Sequence, residues 1–356
     1  MTASTHRRDL AFVVSFLACT AVGALAAAPG WKTAFEQPVD GLFDGGWARG
    51  AERAVDGEIA FRGASIGFWA VTEYALFQEG RAGVIVGDDG WLFTDEEFQQ
   101  TKSDLASQAE KLDEVVRVQG LLREKRIDLV VAVLPSKVRV HPEQLPAIGL
   151  PPVPAARYER FRAGLVERKV PTVDLLSALA RASSEGPTFL RTDTHWNPHG
   201  AAAAAAEVAA HIRAAGRLAS FDSVRVDLQT GPPAAWSGDL LRFIPLGSWQ
   251  TRLGPEPDMV APVGSTVAAG GGLFDDTAIP VVLVGTSFSQ LESLGFAPHL
   301  RQRLGVDVLN AAEEGRGPFT AMQDYLANDA FRQSPPQLVI WEIPERYLGL
   351  PLEAGD

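Results

Sequence analysis

Cysteine is nearly absent from this 356-residue chain, and the single copy, Cys19, lies in an apolar stretch near the N-terminus. An internal disulfide, a cysteine-based metal site and a catalytic thiol in the folded part are thereby excluded. Histidine is also scarce. His6, His141, His195, His199, His211 and His299 are the full set, and no HExxH or similar metal-binding spacing joins them. Neither a metal nor another cofactor is expected. Basic residues are outnumbered, 32 Lys and Arg against 44 Asp and Glu, and the resulting charge of −12 argues against nucleic acid as a partner. After residue 28 no apolar run is long enough to suggest a multi-span membrane region, so the chain is not expected to carry groups across a membrane by itself.

One long apolar run is present, at the start. His6-Arg7-Arg8 precedes an uncharged stretch from Leu10 to Ala28, and Ala24 to Ala28 supplies small residues of the kind a signal peptidase accepts. Residues 1–28 therefore read as a signal peptide or an N-terminal membrane anchor. Basic residues before the run place the remainder outside the cytoplasm. Phe16-Leu17-Ala18 before Cys19 is a poor lipoprotein signal. Residues 29–82 have no clean period and read as a lead-in.

From residue 83 to 356 the pattern is that of one α/β domain. Gly87-Asp-Asp-Gly90-Trp-Leu-Phe93 reads as a tight turn between short strands. Helical spacing covers 103–126, 155–169, 176–182 and 318–333. Asp128 to Leu134 is a continuous apolar run of the length and kind found in buried parallel strands, closed by Pro135. Further strands are expected at 171–175, 188–190, 280–284, 306–309 and 337–342. Alternation of this kind predicts a three-layer α/β/α sandwich with a mainly parallel sheet. Residues 217–279, rich in Gly and Pro, read as an excursion over one edge.

Polar residues collect where strands end. Lys137, Asp193, His195, Ser287, Asn310 and Glu342 all fall at or just after the carboxyl end of a predicted strand, the rim on which open parallel sheets bind ligands. Asp193 and His195 flank one residue, so in an extended segment their side chains point the same way. Asn197 and Pro198 then open an Ala-rich helix that Gly216 stops. An imidazole beside a carboxylate suits a general base with its orienting acid, and Gly285-Thr-Ser287-Phe-Ser289 offers a nucleophile before a helix. Each residue also has a plainer reading. Ser289 is the more natural helix cap, Asp193 and His195 could be a hydrogen-bonded loop pair, and Lys137 with Arg139 a solvated pair. Trp196 reads as packing, His199 as a first-turn residue outside the site, and His141 and His211 as structural or exposed.

Several short motifs occur together. Gly90-Trp-Leu-Phe93, Pro135-Ser-Lys137, Asp193-Thr-His195-Trp, Ser237-Gly-Asp239-Leu, Gly285-Thr-Ser287-Phe-Ser and Trp341-Glu-Ile-Pro-Glu-Arg346-Tyr span about residues 80–350. In this combination the chain resembles the polysaccharide O-acetylation proteins of the AlgJ/AlgX type, which have SGNH-hydrolase-like domains. The resemblance implies a Ser-His-Asp triad of Ser287, His195 and Asp193. It also implies a circularly permuted motif order, because the Asp-x-His element precedes the serine. With an apolar N-terminal segment and little chain after Tyr347, the resemblance is nearer the AlgJ branch.

The expected activity is a periplasmic O-acetyltransferase that moves acetyl groups to hydroxyls of an exopolysaccharide, alginate or similar, through an acetyl-serine. Ser287 attacks the donor, His195 takes its proton, and Asp193 holds the imidazole. The Ser287 backbone N–H is the first oxyanion donor, and the Gly315-Arg316-Gly317 loop is a positional candidate for a second. Expected partners are the polysaccharide acceptor, a membrane-bound O-acyltransferase as acetyl source, and other exopolysaccharide export proteins. Two other functions fit the same residues: an acetylesterase, if water is the acceptor, and a non-catalytic polysaccharide-binding subunit of a secretion complex.

Overall fold

The computed structural model describes residues 3–37, 41–59, 62–145, 149–217, 221, 223–267 and 279–352, with side chains from Val13 onward. The chain divides into two compact units, residues 1–73 with 245–249, and residues 74–244 with 250–356.

The first unit is helical. Its opening helix, Ala3–Phe35, contains a 23-residue stretch, Val13–Phe35, long and apolar enough to cross a membrane. Gly30 lets this helix cross Gly46–Glu58 closely, for a Cβ there would sit 2.4 Å from the Val55 Cα. A third helix, Arg62–Thr72, follows.

The second unit is built on a five-stranded sheet. Its members are β3 (Asp128–Leu134), β4 (Thr172–Val173), β9 (Val281–Val284), β10 (Val308–Asn310) and β11 (Leu338–Pro344), in the order β10-β9-β11-β3-β4 with every pairing parallel. Between them the chain forms the short antiparallel pairs β1 (Val84–Val86) with β2 (Leu92–Thr94), β5 (Val226–Thr230) with β8 (Val263–Val267), and β6 (Ala234–Trp236) with β7 (Asp258–Val260).

Side chains alternate across the pleat, and both faces of the sheet are covered, which is why its strands read as unbroken apolar runs. Val130, Ala132, Leu134, Leu283 and Ile340 face one core, filled by helices Leu175–Ser183, Pro198–Ala214 and Phe296–Leu304. Leu129, Val131, Val133, Val284 and Trp341 face the other, filled by helices Asp104–Glu124, Pro152–Glu167 and Gly317–Ala327. The result is the expected three-layer α/β/α sandwich.

Three sequence-based expectations need correction. Thr188 to Leu190 is not a strand of the sheet. Only an isolated antiparallel bridge forms, Phe189 to Trp196, and the loop between them folds back on itself, with Leu190 N–H donating to the His195 carbonyl at 3.1 Å. The helix expected over 318–333 is two helices, because Asn328 is extended and its side chain caps Asp329–Gln333. The helix after β9 begins at Ser287, two residues earlier than expected, since Thr286 and not Ser289 is its cap.

Trp341 lies at the middle of this architecture. It is fully buried on β11, its indole stands edge-on to Phe319 at 5.2 Å, and its N–H donates to the Pro318 carbonyl at 2.9 Å. Trp341→Ala should lower unfolding free energy by about 3–5 kcal/mol, the usual range for emptying a large aromatic site in a core. Urea denaturation checks this, and a loss under about 1 kcal/mol would show that the core collapses into the space.

Candidate active site

The rim beyond β9, β11 and β3 brings the three sequence-predicted residues into one hydrogen-bonded chain. Ser287 Oγ lies 2.8 Å from His195 Nε2, and His195 Nδ1 lies 2.6 Å from Asp193 Oδ1. All three are buried, though Ser287 and His195 each keep 7% of their surface in solvent. Phe288 packs against the imidazole with ring centres 4.7 Å apart, and Trp196 holds Phe288 from behind by donating its indole N–H to the Phe288 carbonyl at 3.1 Å.

Asp193 accepts four N–H bonds. Oδ1 takes the His195 ring and the His195 backbone N–H at 2.9 Å, and Oδ2 takes the Trp236 indole at 2.8 Å and the Asp239 backbone N–H at 3.1 Å. Burial alone would raise its pKa, but the bonds from His195 and Trp236 outweigh burial and hold the carboxyl down at about 2. It is therefore a carboxylate at any working pH.

The loop between Thr188 and Asn197 is fixed by carboxylates from the excursion. Asp258 accepts the backbone N–H groups of Arg191 and Thr192 at 2.8 and 2.9 Å, and the Thr192 hydroxyl at 2.7 Å. Asp239 accepts the Thr194 N–H at 2.9 Å and its hydroxyl at 2.7 Å. Gly238 must be glycine for a close approach, since a Cβ there would lie 2.0 Å from the Thr192 carbonyl oxygen. From below, the Lys137 ammonium donates to the carbonyls of Leu92, Arg191 and Asp193 at 2.6, 2.9 and 3.0 Å. Lys137 is 1% exposed, so the solvated pair read from the sequence is wrong for it. Arg139 is also mostly covered and pairs with Glu345.

Ser287 is placed by the sheet. Glu342, fully buried on β11, accepts the Thr286 N–H at 2.8 Å, the Thr286 hydroxyl at 3.0 Å and the Ser289 hydroxyl at 3.1 Å. Burial raises the Glu342 pKa. Asn310 steadies the same turn by donating to the Ser289 carbonyl at 2.8 Å.

Elsewhere the expectations divide. His199 is exposed, with Nε2 3.0 Å from the Ala182 carbonyl, outside the site as expected. Trp196 is fully buried packing. His141 is buried, with Nε2 3.0 Å from the Thr188 hydroxyl, and is structural. The Gly315-Arg316-Gly317 loop follows a segment that docks beside the Ser287 turn, where Glu313 N–H donates to the Gly285 carbonyl at 3.1 Å. Trp236 and Asp258 had no signal in the sequence, and Asp239 only its Ser-Gly-Asp motif.

As for metals, Asp193, His195 and Asp239 bring potential ligand atoms within 4.8 Å of one another. Their carboxylate oxygens are, however, already engaged by N–H and O–H donors. Chemically, the arrangement offers a hydroxyl beside an imidazole whose other nitrogen is held by a carboxylate, the geometry that acyl-transfer chemistry uses.

Fold and site thus define an SGNH hydrolase-like α/β/α domain. The sequence from residue 84 to 345 matches the family described as SGNH hydrolase-like domain, acetyltransferase AlgX, and the chain belongs to that family. It is 38% identical to the probable alginate O-acetylase AlgJ of Azotobacter vinelandii, over 93% of this chain and 86% of that protein. It is 37% identical to the protein of the same name from Pseudomonas aeruginosa, over 91% and 84%. Among solved structures, the O-acetyltransferase domain of Pseudomonas putida AlgJ superposes with a TM-score of 0.71 at 36% identity, covering 78% of this chain and 94% of that one. Pseudomonas aeruginosa AlgX shares the fold, with a TM-score of 0.60 at 22% identity, over 75% and 66%.

Gly285 tests the packing beneath Ser287. A Cβ there would lie 2.4 Å from Glu342 Oε2 and 2.9 Å from its Cβ, against a fully buried strand residue that cannot retreat. Gly285→Ala should displace the turn and cost on the order of 10²-fold in reactivity at Ser287, the scale of a misplacement of about 1 Å. Labelling by a serine-directed sulfonyl fluoride measures it, and unchanged labelling would mean that Glu342 does not set the position of the turn.

Proposed function

We propose that this chain transfers acetyl groups to hydroxyls of an exopolysaccharide, alginate or a close relative, through an acetyl-serine on Ser287. The observation that carries the reading is the unbroken chain from Ser287 Oγ through His195 to a carboxylate that accepts four N–H bonds. The AlgJ relatives, named probable alginate O-acetylases, support the substrate class.

In the first half-reaction Ser287 Oγ attacks the acetyl carbonyl of an ester or thioester-derived donor, and its proton passes to His195 Nε2. Asp193 keeps the proton on Nδ1 and stabilises the imidazolium. The Ser287 backbone N–H takes the oxyanion, with the Gly315-Arg316-Gly317 loop nominated for the second donor. The leaving group departs with the proton from Nε2. In the second half-reaction His195 removes a proton from a sugar hydroxyl, whose oxygen attacks the acetyl-serine. The tetrahedral adduct expels Ser287, which recovers its proton.

The apolar Val13–Phe35 stretch, preceded by Arg7 and Arg8, supports placement of this chemistry in the periplasm, behind a cleaved signal or a retained anchor. An acetyl donor outside the cytoplasm calls for a membrane-bound O-acyltransferase as the source, alongside other export proteins.

Ser287→Ala should reduce the acetyl content of the secreted polymer to background, as read by mass spectrometry. Asp193→Asn should slow acetyl ester turnover by 10²–10⁴-fold through loss of the orienting acid, while His199→Ala should change little. Full acetylation by Ser287→Ala would identify a non-catalytic subunit. Release of acetate to water at the same rate with and without acceptor saccharide would identify an esterase.

A further inference from the structure

Lys137 has the surroundings of a group with a task. Its Nζ is buried and meets three carbonyl oxygens and, among the described residues, no carboxylate, at 2.6 Å from Leu92, 2.9 Å from Arg191 and 3.0 Å from Asp193. Trp91 and Phe93 close the space, with ring centres 5.0 and 5.2 Å from Nζ. The stem is fixed at its other end. Glu97 accepts the backbone N–H groups of Lys137 and Val138, both at 3.0 Å. The Leu92 N–H in turn donates to the Arg191 carbonyl at 2.8 Å, so the same knot ties β2 to the loop that carries Asp193.

We infer that Lys137 is a positioning residue for the acetyl-transfer reaction, and that it works only as an ammonium, because Nζ faces three carbonyl oxygens and a lone pair turned to any of them would be repelled. An ammonium has three N–H donors; a neutral amine has two and a lone pair that would face the third oxygen. Deprotonation therefore releases one segment of the knot, and with it the register of Asp193 against His195. The inference rests on the acetyl-serine reading of Ser287.

The balance of charge makes this transition accessible. Burial lowers the Lys137 pKa to about 8, opposed by the carboxylates of Glu97, Asp258, Asp193 and Asp239, with His141 also facing it. Glu97, itself pushed up to about 7 by burial, is the strongest of these supports. Reactivity at Ser287 should rise from acidic pH, as general-base chemistry requires, and fall again on the alkaline side near pH 8 as the third N–H is lost.

The test is the rate at which a sulfonyl fluoride labels Ser287 in the full chain from acidic to alkaline pH, corrected for reagent hydrolysis, with near-ultraviolet circular dichroism recorded alongside. Wild type should show the alkaline fall, reversible on return to neutral pH and without loss of tertiary signal. Lys137→Met should be slower at neutral pH, on the order of 10²-fold, and should lack the fall. A wild-type rate that holds its plateau through the alkaline range overturns the inference, as does Lys137→Met labelling at the wild-type rate. Should Lys137→Met not fold, the wild-type profile decides alone. Absence of Ser287 labelling at every pH defeats the acetyl-serine reading itself, and this inference with it.

Discussion

The site depends on one loop keeping one shape although it is not itself a strand of the sheet. Residues 189–196 form a single bridge, Phe189 to Trp196, and the intervening backbone belongs to no sheet. Backbone groups in such a loop cannot be left unpaired in a buried position. Here charged side chains supply the partners. Asp258 and Asp239 take the N–H groups of Arg191, Thr192 and Thr194, and Lys137 takes the carbonyls of Arg191 and Asp193. Buried charges such as Asp258 and Lys137 are costly unless hydrogen-bonded, and both are, as is the half-buried Asp239. The same bonds that make the charges tolerable also fix the loop.

Ser287 is held by a different device. Because β9 lies beside β11, Glu342 on β11 sits beneath the turn that leaves β9 and takes the Thr286 N–H and two hydroxyls. Ser287 and His195 thus arrive from separate scaffolds, one from the sheet and one from the cross-tied loop. The 2.8 Å contact between Ser287 and His195 is where the two meet. Phe288 links them a second way, through its ring on His195 and its carbonyl on the Trp196 indole.

Much of this could be read from the sequence. β3 matched its apolar run residue for residue, because a strand covered on both faces needs an unbroken apolar pattern. That Ser287, His195 and Asp193 come together was legible from the shared motifs of the family and, for Ser287, from its place at the end of β9; the loop of Asp193 and His195 follows no strand of the sheet. Lys137 was misread for a physical reason. Lys137 can be buried because tertiary structure brings three carbonyls to it, and Leu92, Arg191 and Asp193 are distant in sequence. Trp236 and Asp258 were invisible for a similar reason, since they sit at the ends of β6 and β7, strands of three residues each and too short for a periodicity to record. The break at Asn328 was a local signal overlooked, an Asn-Asp step able to cap a new helix.

The central claim is that the acetyl group passes through Ser287. Rapid acid quenching of the full chain during turnover of a chromogenic acetyl ester, followed by peptide mapping, tests it most directly. One acetyl group per chain is expected, on Ser287, accumulating in wild type and absent from Ser287→Ala. Turnover with no acetyl on Ser287, or with the acetyl on another residue, would contradict it.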